Sequence, residues 1–375
     1  MLLLIPGPVS TAPEVRAAMA QDIAPWDTGF RPLYASVRAD VLALAGVGAD
    51  THAALPLQGC GHFAVEATIR SLVPARGGRI LIPLTGSYGV RMVRLAREVG
   101  RDVVELPLST TQPLDPAQVA AALAEDAAIT HVGLVYSETS SGVIHDAAAI
   151  AGVARAAGRR VILDAVSAFG ALPLDLSLLP AVDAAVFTSN KCLEGMPGLS
   201  FTIARRDTLE GLAPAGSWSF DLGDVHRHTS GHGAGSFRFT PPAQVLAALR
   251  VALDLHAAEG GAPARLARYA ANATTLYDGM LAIGLQPYLP RVAQGPIVLN
   301  VSAPDDPAWS LQPFVEALKA RGYLISNFHD TPSPSFRVGC IGQVTPADMR
   351  GFCAAVDAAL TEIGVRSRGP LRRAA

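Results

Sequence analysis

One lysine and one aspartate stand at the ends of buried, strand-like runs. Lys191 follows the apolar run 183–187, and Asp164 ends the apolar run 160–164. A lysine amine can form a Schiff base with an aldehyde, and a carboxylate can pair with a protonated ring nitrogen. An enzyme that uses pyridoxal phosphate needs both groups. A single lysine in a loop is more often a solvated surface residue, so its surroundings decide between the two interpretations.

Polar side chains also follow a third strand-like run. The segment 137–142 (Ser-Glu-Thr-Ser-Ser-Gly) comes directly after the run that ends at Tyr136. Ligands of an open parallel sheet bind beyond the carboxyl ends of its strands. Three polar strand ends therefore favour a ligand site at one edge of the sheet, with Lys191 in it.

Two further segments suit a flat, phosphorylated ligand. The glycine-containing loop 58–62 runs into a predicted amphipathic helix at 63–72, and such a helix N-terminus favours a phosphate. The loop lacks the GxGxxG fingerprint of dinucleotide-binding folds. Tyr88 follows another strand-like run and could stack on a flat ring or cap the next helix.

The elements that must position these residues alternate between strands and helices. Such alternation, with near-continuous apolar strands, predicts an α/β fold whose mostly parallel sheet is covered by helices on both faces. The expected strands are 79–83, 102–106, 131–136, 160–164, 183–188 and 199–204, and the expected helices are 63–72, 88–99, 116–124 and 146–157.

The pattern divides the chain into an N-terminal arm at 1–15, a large domain at 16–245 and a smaller C-terminal α/β domain at 246–375. The basic tail, about 366–375, is expected to be flexible. In the smaller part, helices are expected at 243–258, 263–283 and 345–363, and strands at 296–301, 323–326 and 335–338.

Composition limits the kinds of partner. The chain has 375 residues and a formal net charge of -2, which gives no electrostatic basis for binding nucleic acid or an anionic membrane. The four cysteines lie far apart without a CxxC pair, which argues against disulfides and fits a reducing cytoplasm. The apolar segment 1–8 is too short and lacks the basic region of a secretory signal, and no run reaches membrane-spanning length.

Three histidines, His226, His228 and His232, are spaced like a metal cluster. No carboxylate or cysteine has the ligand spacing of known zinc sites, so we expect no metal there. The segment is interpreted as a solvated, glycine-rich loop.

Together these residues resemble the class-V, fold-type I aminotransferases, and most of all the 2-aminoethylphosphonate–pyruvate aminotransferases. The resemblance runs from residue 3 almost to the C-terminus. Its most specific segments are 56–59 (PLQG), 63–67 (FAVEA), 164–173 (DAVSAFGALP), 189–195 (SNKCLEG), 237–242 (FRFTPP) and 336–342 (FRVGCIG).

The resemblance implies bound pyridoxal 5′-phosphate, with Lys191 as the Schiff-base lysine and Asp164 as the partner of the pyridine nitrogen. It also implies a homodimer with active sites at the subunit interface. The remaining roles that it implies are ring stacking by Tyr88, phosphate binding by Cys60, Gly61 and His62 and by Thr240 of the other subunit, a position near the phenolic oxygen for Thr139, and substrate binding by Gly7, Pro8 and Arg337.

The reaction implied is the transfer of the amino group of 2-aminoethylphosphonate, or a related aminophosphonate, to pyruvate. Its products are phosphonoacetaldehyde and L-alanine, as in phosphonate catabolism. Lys191 would move the proton, and Arg337 would bind the acidic group of the substrate.

Two segments depart from that family. Its phosphate loop usually reads Ser-Gly-Thr, whereas residues 60–62 are Cys-Gly-His, and cysteine is a weak hydrogen-bond donor. The family has Tyr-Pro-Gly-Lys before the arginine strand, whereas residues 326–329 are Ser-Asn-Phe-His. A cation near the substrate is thereby lost.

Three alternatives stay open. An alanine– or serine–glyoxylate aminotransferase is favoured by His62, because the alanine–glyoxylate enzymes carry Ser-Gly-His in this loop. A lyase or desulfurase of the same fold would need an exposed catalytic cysteine on a mobile loop. A cofactor-binding regulatory protein would normally add a DNA-binding segment, and the sequence shows none.

Overall fold

The computed structural model describes residues 1–230 and 235–370. The strands are β1 (Leu2–Leu3), β2 (His52–Gln58), β3 (Arg79–Leu84), β4 (Asp102–Pro107), β5 (His131–Val135), β6 (Ser137–Glu138), β7 (Val143–Ile144), β8 (Arg160–Asp164), β9 (Val182–Thr188), β10 (Leu199–Arg205), β11 (Val298–Ser302), β12 (Tyr323–Leu324) and β13 (Ser335–Gly339). The helices are α1 (Pro13–Ala17), α2 (Phe30–Leu44), α3 (Gly61–Leu72), α4 (Ser87–Glu98), α5 (Pro116–Glu125), α6 (Ala147–Ala156), α7 (Arg206–Glu210), α8 (Leu222–Ser230), α9 (Ala243–Glu259), α10 (Gly261–Ala282), α11 (Leu311–Ala320) and α12 (Pro346–Glu362).

Within the described ranges, seven strands form the main sheet in the order β2-β10-β9-β8-β5-β3-β4. All neighbours pair in parallel except β10, which runs antiparallel to both β9 and β2. Every residue of β5 and β9 is buried, as is typical of a sheet covered on both faces. The predicted fold class is confirmed. The carboxyl ends of β5, β8 and β9 lie side by side and carry the polar segments of the site.

Helices cover the sheet on both faces. Apolar side chains of α2, α5, α6 and α9 form one core with the sheet, and those of α3, α4 and α8 form another on the opposite face. Residues of α9 as far as Leu253 belong to the first core. The division of the chain near residue 245 stays a prediction. None of the helices described is long and apolar enough to span a membrane.

The C-terminal part has its own core, formed by α10, α11, α12 and the two-stranded sheet of β11 and β13. The N-terminus joins it, because β1 pairs in parallel with β12 and Leu4 is fully buried in that core. The arm expected at 1–15 therefore contains β1 and the start of α1 and is anchored to the opposite end of the chain.

Local capping explains why several helices begin where the sequence predicts. Asp115 accepts a hydrogen bond from the Ala117 amide at the start of α5, with proline at the first helical position. Thr345 and Asp348 form a reciprocal capping box at the start of α12. Each cap satisfies amides that have no partner inside the helix.

The prediction of a loop around His226 and His228 is wrong, because both residues lie in α8. Leu222 and Val225, one turn apart, pack into the core against α3, and His226 is buried with them. His232 lies outside the described residues. Among those described, no cluster of histidine, cysteine and carboxylate side chains could hold a metal ion.

The start of the basic tail makes hydrogen bonds to the C-terminal part of the chain, and its expected flexibility stays a prediction. The amides of Arg366 and Ser367 both donate to Asp306, at 2.8 Å. The Gly369 carbonyl accepts from the Asp305 amide at 2.7 Å. These bonds hold 366–370 against the C-terminal part, and 371–375 lie outside the described residues.

Candidate active site

Asp164 lies at the carboxyl end of β8, in the middle of the sheet. Its Oδ1 accepts a hydrogen bond from the Val166 amide at 3.0 Å. Burial raises the pKa of the Asp164 carboxyl to about 6, with a further rise from the nearby Glu138, while Lys191 and Arg91 act in the opposite direction. A buried carboxylate of this kind is stabilised by a cationic ligand group.

Lys191 lies in the turn after β9, on the neighbouring strand end. The turn is closed by a hydrogen bond from the Glu194 amide to the Lys191 carbonyl, at 2.9 Å. Burial lowers the pKa of the Lys191 amine to about 8, and the positive charge of Arg337 adds to the effect. Much of this amine is therefore neutral at mildly alkaline pH, as a nucleophile or base requires.

The N-terminal segment covers Lys191. A Cβ atom at Gly7 would lie 2.5 Å from Cδ and 2.8 Å from Nζ of Lys191, and Gly7 has a φ of +143°. Both conditions restrict this position to glycine. Pro8 follows as an exposed residue. The structure thus places Gly7 against Lys191 and Pro8 at the surface beside it.

The N-terminus of α3 points to an anion site. Cys60 precedes the helix as an exposed residue, and no side chain caps the helix start. The amides of Gly61 and His62 are in the first turn, whose N–H groups have no partner within the helix. Burial, helped by the charge of Arg91, lowers the pKa of His62, which favours a neutral ring.

Gly61 allows α3 to approach the strand that carries Asp164. A Cβ atom at Gly61 would lie 2.6 Å from Cγ2 of Val166. Only a residue without a side chain therefore brings the helix N-terminus this close to the end of β8.

Tyr88 lines the same pocket as Asp164. It is half-buried near the start of α4, and the Arg91 guanidinium carbon lies 4.8 Å from the centre of its ring. Glu138, fully buried, accepts a hydrogen bond from the Ser140 amide at 3.0 Å, and burial raises the pKa of its carboxyl. Neither Arg91 nor Glu138 was among the residues predicted for the site. The signals available were the helical spacing of Arg91 from Tyr88 and the carboxylate in a polar strand end.

Arg337 lies on β13 and is almost completely buried. Its Nη1 donates to the Thr139 carbonyl at 3.0 Å and to Oδ2 of Asp330 at 2.7 Å. The Phe328 ring lies over the guanidinium, 5.0 Å from its carbon atom. Arg337 thus lines the cleft and also forms an ion pair with Asp330, a residue that the sequence did not single out.

Tyr88 connects two cavities. A small pocket of about 40 Å³ is lined by Gly61, His62 and Asp164, and Tyr88 is common to it and to a cleft of about 460 Å³ that contains Gly7, Lys191 and Arg337. Thr240 is elsewhere: it is exposed and lines a separate cavity with Trp26 and Phe239. Within one chain the two cavities share Tyr88 and bring together most of the predicted residues, namely Gly7, Gly61, His62, Tyr88, Asp164, Lys191 and Arg337. Cys60, Pro8 and Thr139 are not among the residues that line these two cavities, and Thr240 lines another.

These residues fit pyridoxal phosphate. The Lys191 amine suits the aldehyde, and the buried Asp164 carboxylate suits the ring nitrogen. The Tyr88 ring can stack on the flat ring, and the free helix end at Gly61 suits the phosphate.

Comparison with known proteins identifies the family. The family Aminotransferase class-V matches residues 27–302. A 2-aminoethylphosphonate–pyruvate transaminase of Burkholderia mallei (strain SAVP1) is 45% identical over 370 residues, which is 98% of this chain and 98% of the relative. The protein of the same name from Burkholderia ambifaria (strain MC40-6) is 44% identical over 367 residues, or 97% of this chain and 96% of the relative.

Solved structures agree. The pyridoxamine–pyruvate aminotransferase of Mesorhizobium loti has a TM-score of 0.86 at 26% identity, covering 98% of this chain and 93% of its own. A subgroup IV aspartate aminotransferase of Thermus thermophilus has a TM-score of 0.84 at 26% identity, covering 97% and 100%. The chain therefore belongs to the class-V aminotransferase family.

Proposed function

We propose that this class-V aminotransferase moves the amino group of 2-aminoethylphosphonate, or a closely related aminophosphonate, to pyruvate, which yields phosphonoacetaldehyde and L-alanine. The observation that carries the proposal is one cleft that contains both Lys191 and Arg337. Lys191 can take the proton from an amine-bearing carbon, and Arg337 can bind an acidic group. The Burkholderia relatives of that name match the chain almost end to end.

We propose pyridoxal 5′-phosphate as the cofactor, since class-V aminotransferases in general depend on it. When bound, it supplies an electron sink for the negative charge that develops on the amine-bearing carbon. The amides of Gly61 and His62, with Cys60, would hold its phosphate. Asp164 would hold its ring nitrogen, and Tyr88 would stack on its ring.

Lys191 would move the proton of the reaction. Because its pKa is lowered to about 8, a large fraction of the amine can accept a proton at mildly alkaline pH and return it at the neighbouring position. Gly7 lies against the side chain, so the N-terminal segment holds the amine in place and keeps water from that side.

Arg337 would orient both substrates through their acidic groups. 2-Aminoethylphosphonate has no carboxylate, so its phosphonate is the group for the guanidinium to bind. The carboxylate of pyruvate would take the same place in the second half of the reaction. The contacts of Arg337 to Thr139 and Asp330 keep the guanidinium plane fixed for this purpose.

We further propose a homodimer in the cytoplasm, with Thr240 reaching the phosphate of the neighbouring subunit. Trp26, Trp218 and Phe239 have exposed fractions of 90%, 70% and 53%, and Thr240 lies beside Phe239. An exposed aromatic patch of this size is typical of an association surface. Light scattering should give twice the chain mass, and Thr240→Ala should release the cofactor more readily.

A glyoxylate aminotransferase is the second candidate, favoured by the position of His62 at the start of α3. The exposed Cys60 is proposed to hold the cofactor phosphate, so a desulfurase would have to use one of the other three cysteines. Cys192, Cys340 and Cys353 are buried, and burial raises the pKa of each thiol. Such thiols are unreactive at neutral pH.

A half-reaction screen tests the proposal. The purified holoenzyme is mixed separately with 2-aminoethylphosphonate, L-serine, L-alanine and taurine, without a keto acid, and the visible absorbance of the cofactor is followed. Conversion by 2-aminoethylphosphonate supports the proposal. Conversion by the carboxylated amines alone would overturn it in favour of the glyoxylate enzyme.

A further inference from the structure

The protein holds the Arg337 guanidinium from one side. Nη1 carries two hydrogens, and the Thr139 carbonyl and the Asp330 carboxylate accept both. Among the described residues, Nε of Arg337 is buried without a hydrogen-bond partner. The edge formed by Nε and Nη2 therefore remains for an acidic ligand, in the geometry of a two-pronged contact.

Hydrogen bonds of the residues on either side of Asp330 order the segment that carries it. The Thr331 hydroxyl donates to the Ser333 carbonyl at 2.8 Å, and the Thr331 carbonyl contacts Nδ1 of His329 at 3.3 Å. The Asp330 side chain is 23% exposed, against 4% for that of Arg337. The carboxylate is therefore partly desolvated, and water screens its charge incompletely.

In the holoenzyme the Lys191 amine would be joined to the proposed cofactor, and the other charged side chains that line the cleft beside Arg337 offset one another. Lys319 lines the cleft together with Glu316, and the two side chains lie 3.9 Å apart. Arg337 is thus left as the cation that meets the acidic group, and Asp330 cancels part of its charge. An acid bound to the free edge of the Arg337 guanidinium and the Asp330 carboxylate both contact the same cation, and the two negative charges repel each other.

We propose that Asp330 sets the charge selectivity of the acid-binding position at Arg337, reducing its preference for dianions over monoanions. The inference deepens the proposed function and rests on it: the position must bind a phosphonate dianion in one half of the reaction and a carboxylate in the other. Without Asp330, the dianion would bind far more tightly, and the keto acid would compete poorly. Asp330 acts through Arg337 and is a positioning residue.

The size of the effect follows from Coulomb's law. Repulsion by Asp330 scales with the charge of the ligand, so its removal changes the binding free energy of a dianion twice as much as that of a monoanion. The fold-change for the dianion is therefore the square of that for the monoanion. If Asp330→Asn tightens acetate binding by about fivefold, it tightens methylphosphonate binding by about 25-fold.

Titration calorimetry of the holoenzyme with acetate and with methylphosphonate, at a pH where the latter is a dianion, measures both affinities. Neither probe has an amine, so no transfer occurs. The expected result for Asp330→Asn is a selective gain for methylphosphonate, with the wild-type ratio retained in Asp330→Glu. Equal fold-changes for both probes, or none, would overturn the inference, since a purely structural role of Asp330 affects both alike.

Two controls complete the test. Asp278→Asn removes the same charge from an exposed ion pair with Arg291 on the same part of the chain and should leave both affinities unchanged. If Asp330→Asn does not fold, Asp330→Ser is measured instead, because its hydroxyl can still accept from Arg337. The calorimetry is independent of catalysis: a selective gain in an enzyme that ignores 2-aminoethylphosphonate removes the proposed function but leaves the charge selectivity.

Discussion

Gly7 lies directly against the side chain of Lys191. A Cβ atom at Gly7 would be 2.8 Å from Nζ and 2.5 Å from Cδ, well inside contact distance. The segment that carries Gly7 is anchored by the pairing of β1 with β12. The reactive lysine is therefore positioned by its own strand end and by the N-terminal segment, which β12 anchors.

Gly7→Ala should reduce kcat by about 10- to 100-fold, because displacement of a reacting group by about an ångström costs this much. The methyl group must push the N-terminal segment or the Lys191 side chain aside, and the φ of +143° adds strain. Steady-state kinetics and circular dichroism of the variant measure activity and folding separately.

The matched control is Gly152→Ala. Gly152 lies in α6, and a Cβ atom there would meet nothing within 4 Å. Its activity should equal that of the wild type. Full activity of Gly7→Ala would show that the contact does not constrain Lys191.

Arg337→Gln should raise the pKa of Lys191 from about 8 toward its usual value of 10.5, because a nearby positive charge is removed. The pH dependence of Lys191 acetylation by acetic anhydride, followed by mass spectrometry in cofactor-free protein, reports the change. Arg94→Gln removes an exposed charge on α4 and should not move the profile. If Arg337→Gln has the same pH profile as the wild type, the charge of Arg337 does not lower the pKa of Lys191.

The cofactor-free protein should lose stability as Asp164 ionises. The folded-state pKa of about 6 lies above the usual 3.8, so the stabilising contribution is complete below 3.8 and is lost as the pH rises through 6. The loss is at most about 3 kcal/mol. Asp164→Asn should remove this pH dependence from urea unfolding curves, while Asp115→Asn, which keeps a helix cap, should retain it.

A cofactor that pairs with Asp164 should reverse the effect of Asp164 ionisation on the stability of the protein. Bound cofactor favours the ionised carboxylate, so the holoenzyme should not weaken over the same pH range. Equal pH dependence of wild-type and Asp164→Asn cofactor-free proteins would contradict the assigned pKa.

Glu194→Ala should lower the free energy of unfolding by about 1–3 kcal/mol, the usual cost of leaving buried hydrogen-bond donors unsatisfied. Glu259 still pairs with Arg265 and Arg268 in this variant, so neither cation loses every partner. Glu194 accepts from Arg268 at 2.8 Å and from the Tyr269 hydroxyl at 2.6 Å, and it is the neighbour of the buried Arg265. Urea unfolding measures the loss. Asp278→Asn, in an exposed pair, should cost less than about 1 kcal/mol.

Much of the sheet was predictable because its strands are buried on both faces. The strand expected at 160–164 is found as Arg160–Asp164. The helix α8 was not, because the nearby glycines suggested a loop, while its apolar residues at Leu222 and Val225 become decisive only when α3 supplies the packing surface. The two-residue strand β1 has no periodicity to detect, and its partner β12 lies near the other end of the chain.

The positions of Lys191 and Asp164 followed from a general rule about parallel strand ends. The pairing of Asp330 with Arg337 did not, because it depends on how an irregular segment folds back on β13. Gly7 was expected at the substrate site from the family resemblance, and only the three-dimensional arrangement shows that it touches Lys191.

The fate of the amino nitrogen tests the proposed transfer from 2-aminoethylphosphonate to pyruvate. Holoenzyme is incubated with ¹⁵N-labelled 2-aminoethylphosphonate and pyruvate, and alanine is analysed by mass spectrometry, with Lys191→Ala in parallel. We expect ¹⁵N in L-alanine in equal amount to the phosphonoacetaldehyde formed, and none with Lys191→Ala. Unlabelled alanine, or transfer that persists in Lys191→Ala at the wild-type rate, would contradict it.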